Sequence, residues 1–77
     1  MPEKTRFRWI HFVKQDGTDY WLCRNNRSDV YLGMVFFYDR WNKWCFSPTA
    51  MEVVLSPGCM EDIVTFCKSL EVPNGVD

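Results

Sequence analysis

Apolar and polar positions fall into blocks along this chain. Arg6-Phe-Arg-Trp-Ile-His-Phe-Val-Lys-Gln15, Thr18-Asp-Tyr-Trp-Leu-Cys-Arg-Asn25 and Tyr31-Leu-Gly-Met-Val-Phe-Phe-Tyr38 are dense in β-branched and aromatic residues, which pack well on a pleated surface. Each block ends in a polar turn. Asp16-Gly17 suits a tight hairpin with positive φ, and Asn26-Arg-Ser-Asp29 and Asp39-Arg-Trp-Asn42 close the next two strands. A fourth strand runs from Lys43 to Phe46, and Pro48 stops it because proline brings no donor to a ladder. Met51-Glu-Val-Val-Leu55 is a candidate fifth strand, short and at an edge.

The pattern changes at Ser56-Pro57. A serine whose oxygen can accept an orphan N–H, followed by proline at the first helical position, predicts a helix start. Glu61 and Asp62 fall early in that helix and Lys68 late, as its dipole favours. Met60, Ile63, Val64, Cys67 and Leu70 recur at helical spacing as an apolar stripe, and Pro73-Asn-Gly75 closes the element. The predicted fold is α+β: a four- to five-stranded antiparallel meander with one C-terminal helix on one face. A single domain over residues 1–77 is expected, with sheet 6–55, helix 57–70 and a short tail 71–77.

Alternation of side chains then assigns faces. Centring the first hairpin on Asp16-Gly17 pairs Phe12 with Trp21. Carried through the later turns, this puts Arg8, Ile10, Phe12, Trp21, Cys23, Leu32, Met34, Phe36 and Cys45 on one side, and Phe7, Trp9, His11, Val13, Tyr20, Leu22, Arg24, Tyr31, Gly33, Val35, Phe37, Trp44 and Phe46 on the other. Both sides are apolar, yet only one helix is available. The helix is expected over the Gly33 side, since a residue without a side chain in mid-strand marks close approach of another group. The first side is then left open, unless a β-bulge mixes the two sets.

Composition and charge narrow the function. Aromatics are 17% of the 77 residues, enough large side chains for a small core without staples. The net charge of −1 excludes a protein held mainly by a strong basic field on phosphates. Its distribution is uneven: residues 1–43 hold eight Lys/Arg against five Asp/Glu, and residues 44–77 hold Lys68 against five acids. No apolar run approaches a membrane span, and no leader-like segment opens the chain. A cytoplasmic protein is expected, with Cys23, Cys45, Cys59 and Cys67 reduced.

Candidate chemistry is sparse. His11 is the single histidine, and a packing role is expected for it rather than catalysis. The four cysteines show no Cys-x-x-Cys spacing, so neither a metal nor another cofactor is expected. Arg and Lys interleaved with sheet aromatics (Arg6, Arg8, Trp9, Lys14, Tyr20, Trp21, Arg24, Tyr31) would allow single-stranded nucleic acid to stack and track, without any RNP-like motif. Trp41, between Arg40 and Asn42 in a polar turn, is the kind of residue that anchors protein interfaces.

Leu32-Gly33-x-Val35, then Trp41, Trp44-x-Phe46-x-Pro48, then the capped helix with Met60, Ile63, Phe66 and Leu70 resembles a type of small accessory protein encoded by bacteriophages and prophages. The resemblance carries no catalytic residues. It implies a compact protein that binds and blocks a host protein, anti-CRISPR inhibitors among them, in the host cytoplasm. The expected function is therefore non-enzymatic binding of a host protein, such as a CRISPR-Cas or other defence nuclease, through Arg8, Phe12, Trp21, Met34, Phe36, Arg40 and Trp41. Self-association is a second expected contact, single-stranded nucleic acid the alternative partner, and no membrane is involved.

Overall fold

The computed structural model describes residue 2 and residues 4–71; Pro73-Asn-Gly75, expected to close the helix, lies outside the described residues. The β-rich blocks form β1 (Ile10–Lys14), β2 (Trp21–Asn25), β3 (Tyr31–Tyr38) and β4 (Lys43–Pro48), an antiparallel sheet in the order β1-β2-β3-β4. The helix α1 spans Pro57–Leu70 as its start signals predict, with the Ser56 hydroxyl accepting the Cys59 N–H at 3.2 Å. Glu61 and Asp62 sit one turn later than a dipole role requires, since no acid occupies the first turn. Met51–Leu55 is turn and coil, not a fifth strand.

The first hairpin is wider than Asp16-Gly17 suggests. Gln15 N–H donates to Tyr20 C=O at 3.1 Å, and Gly17, at φ 74°, turns inside that wider loop. Phe12 consequently faces Cys23 rather than Trp21. The slip is two residues, so no side chain changes face.

The decisive irregularity lies in the next ladder. Arg24 pairs with Tyr31, but Cys23 pairs with Gly33, leaving Leu32 as an extra residue on β3. A bulge of this kind reverses the phase of everything beyond it. It corrects the two expected faces. Ile10, Phe12, Trp21 and Cys23 share the helix side with Gly33, Val35, Trp44 and Phe46, while His11, Val13, Leu22 and Arg24 share the open side with Met34, Phe36 and Cys45. Beyond the third turn the expected register holds, with Val35 opposite Phe46.

The core is correspondingly aromatic. Phe66 of α1 is fully buried, stacked on Phe12 at 3.9 Å between ring centroids and set edge-on to Trp21 at 5.2 Å and Phe7 at 6.5 Å. Such pairs add about 0.5 to 1.5 kcal/mol each beyond area burial. The inward face of the helix is thus Cys59, Ile63, Phe66, Cys67 and Leu70; Met60 and Val64, expected in the stripe, are 48% and 50% exposed. Gly33 lies under Phe46, where a Cβ would meet the ring at 2.6 Å and the Ser47 carbonyl oxygen at 2.5 Å. The group that needs its bare backbone is therefore a neighbouring strand, not the helix.

Candidate protein-binding surface

With α1 on one side, the opposite side of the sheet carries Val13, Leu22, Met34, Phe36, Tyr38 and Cys45 without a covering element among the described residues. Along β3 these build a row. Phe36 meets Tyr38 edge-on at 6.1 Å, and Tyr38 meets Trp41 edge-on at 5.0 Å. The row ends in the turn 39–42, which is held by Trp41 N–H to Tyr38 C=O at 3.1 Å, Asn42 N–H to Asp39 C=O at 3.2 Å, and a left-handed Asn42 at φ 56°. Asparagine tolerates that conformation better than most side chains. Trp41 is 65% exposed, so its indole is aimed by the turn and one tyrosine rather than by the core.

Charge on this side is mostly basic. Lys43 begins β4, Arg40 sits beside Trp41, and Arg24 lies towards the other end, its guanidinium 3.5 Å from the Asp29 carboxylate and donating to the Asp29 carbonyl at 2.8 Å. Next to Arg24 stands a polar knot centred on Asn26. Its amide donates to Phe7 C=O at 2.7 Å and Arg8 C=O at 3.2 Å, which leaves Oδ1 to accept from Arg6 at 3.0 Å and from His11 Nδ1 at 2.7 Å. His11 Nε2 then lies 3.7 Å from the Asp29 carboxylate. The histidine is a structural tie between β1 and the β2–β3 turn.

The seven residues expected at the binding site divide into three groups. Met34, Phe36, Arg40 and Trp41 come together along β3 and its turn. Phe12 and Trp21 lie under the helix, 3% and 6% exposed, so in this fold they are core and not contact residues. Arg8 is exposed but belongs to the bend before β1, at the opposite end of the sheet from Trp41, with its guanidinium 4.9 Å from the Trp9 ring. Trp9 thus has Arg8, not Arg24, as its cationic neighbour. Tyr38, Leu22 and Val13 join the surface without having been singled out. Only the phase across the bulge could have placed the last two.

A cavity of about 360 Å³ opens on the other side, between the last turn of α1 and the sheet, walled by Trp21, Phe37, Trp44 and Leu70 with Lys14 and Asp19 at its rim. Among the described residues no cluster of His, Cys, Asp and Glu could hold a metal ion. Burial pushes the Cys23 thiol up to about 12 and the Cys67 thiol up to about 11, with neighbouring cysteines adding to the effect. Those two sulfurs are poor nucleophiles. No helix among the described residues is long and apolar enough to cross a membrane.

No family model, curated protein or solved structure matches the chain.

Proposed function

We propose that this is a non-enzymatic binding protein that docks on a partner protein through the open face of its sheet and the turn 39–42. The observation that carries the reading is Trp41: a tryptophan fixed by a four-residue turn, largely exposed, and continuous with Tyr38 and Phe36. Tryptophan, tyrosine and arginine supply most interface hot spots, and a contiguous apolar patch on a small protein marks an interaction surface. Arg40 adds donors at the rim. The resemblance to phage accessory proteins makes a host protein, such as a defence nuclease, the class of partner, and inhibition by blocking the mode of action.

A second reading uses the same residues. Aromatic side chains in a row with Arg40, Lys43 and Arg24 beside them could stack the bases of a single strand and pair with its phosphates. The two readings separate on salt. A complex with a host protein that survives elevated salt and is lost in Trp41→Ala supports docking on protein. Binding of a labelled oligonucleotide that falls steeply with salt, with no such complex, supports the second reading and overturns the first.

A further inference from the structure

Among the described residues, β4 is the open edge of the sheet. The opposite edge is partly closed, because Arg6 bridges His11 and Phe12 N–H donates to Thr5 C=O at 2.8 Å. Which groups of β4 face outward follows from one bond: Thr49 N–H donates to Leu32 C=O at 3.0 Å. Bonded and non-bonded pairs alternate along an antiparallel ladder, so Lys43, Cys45 and Ser47 also bond inward to β3. Trp44, Phe46 and Pro48 turn their backbone groups away from it. Pro48, which has no N–H, stands where a donor would have faced outward. Trp44 and Phe46 present N–H and C=O groups with no backbone or side-chain partner among the described residues.

Exposed edges are commonly blunted by a lysine, a proline or a bulge. β4 has Lys43 and Pro48 only at its ends and pairs regularly between them. On its helix side a groove of about 290 Å³ runs between Trp44 and Phe46 and the α1 residues Val64, Cys67 and Lys68. Val64 is half exposed there, and Met60 one turn before it likewise. Edge and groove thus leave polar backbone and apolar side chain uncovered together.

We propose that β4 pairs antiparallel with β4 of a second copy, about a two-fold axis through Cys45 that sets Trp44 opposite Phe46 of the partner subunit. In this register Trp44 and Phe46 exchange both bonds with their opposite numbers, and every outward N–H of the two residues is used. Centring on Phe46 instead sets Trp44 against proline, which returns no bond. The axis also places both helices on the same side of an extended sheet, running in opposite directions. Lys68 in the last turn borders this groove, and the opposed helix directions bring Glu61 in the second turn of one copy towards Lys68 of the other, so charge favours a copy of this chain as the occupant. The open face stays uncovered, doubled side by side.

Cys45 supplies the test. In a non-hydrogen-bonded antiparallel pair the Cα atoms are about 4.5 Å apart, within disulfide range. Diamide, a diazene that takes up the two electrons and two protons given up by two thiols, should join the subunits in the wild-type chain and in Cys59→Ser and Cys67→Ser, but not in Cys45→Ser. Light scattering should show a dimer whose mass falls on dilution, and Cys45→Lys, which opposes two ammonium groups, should be monomeric with an unchanged far-UV dichroism spectrum. A wild-type chain that is monomeric at every concentration overturns the proposal and leaves the edge for an extended segment of another protein. So does a dimer that persists in Cys45→Lys or crosslinks only through Cys59 or Cys67. If Cys45→Lys fails to fold, amide exchange of the wild-type protein decides: the Trp44 and Phe46 amides must slow as concentration rises, and exchange indifferent to concentration overturns the pairing.

Discussion

Two tryptophans three residues apart do different work. Trp41 projects from a turn and touches Tyr38, whereas Trp44 packs against Phe37 at 5.6 Å and lies on the helix side of the sheet. Trp41→Ala should leave the melting temperature nearly unchanged while weakening partner binding by about 2 kcal/mol or more, the usual hot-spot scale. Trp44→Ala should instead cost about 3 kcal/mol of stability. Melting curves and binding titrations of both variants check this; equal destabilisation would move Trp41 into the core. Gly33 gives a second residue-scale expectation. Since a Cβ there would lie 2.5 Å from a backbone oxygen, Gly33→Ala should destabilise by about 1 to 3 kcal/mol, the range of overpacking, which urea melts can measure. That Gly33 had to be bare was legible from its place inside an apolar run. What crowds it was not, because the Phe46 ring reaches it diagonally from the next strand.

At the level of elements, the order of strands and the bounds of the helix could be read directly, since turn residues and a Ser-Pro start act locally. The inward face of the helix was legible only in part: Ile63, Cys67 and Leu70 of the expected stripe pack inward, whereas Met60 and Val64 do not. Phe66, the residue on which Phe7, Phe12 and Trp21 converge, falls between positions that the simple stripe of Met60, Val64 and Cys67 occupies equally well. The sheet faces failed for a similar reason: pairing parity is a non-local quantity, and one extra residue at Leu32 inverts it. Met34, Phe36, Arg40 and Trp41 were legible as contact candidates because strand alternation and a polar turn mark them within their own segment. Phe12 and Trp21 needed the phase of β2 against β3. Asn26 is an element-scale linchpin that composition does not reveal, since a turn asparagine is ordinary. Its side chain serves Phe7, Arg8, Arg6 and His11. Asn26→Ala would leave the partly buried Phe7 carbonyl and His11 Nδ1 without partners, and should cost on the order of 2 kcal/mol. Faster amide exchange should follow in the segment before β1 but not in α1; uniform acceleration would show that the tie is global rather than local.

For the whole molecule, the raised thiols fix the sign of an alkaline effect. Burial lifts Cys67 to about 11 and Cys23 to about 12 from an ordinary 9.0. As pH rises through that window the unfolded chain loses protons that the folded chain keeps, so stability is unaffected below it and falls across it. Urea midpoints at neutral pH and at about pH 10 should show the decline, and Cys67→Ala should shrink it; a midpoint that rises with pH would contradict the burial of these sulfurs. The bulge at Leu32 has a different consequence, which concerns changes in chain length. It holds one residue of slack between the β2–β3 turn and the core. A single-residue deletion among positions 27–32 could be absorbed by straightening β3, leaving Cys23 opposite Gly33 and Val35 still beneath the helix. A deletion inside β3 between Val35 and Tyr38, or inside β4 between Lys43 and Phe46, has no such reserve and turns part of a strand over. Within the sheet, this stretch of sequence can therefore lose a residue while the hydrophobic interior stays as it is.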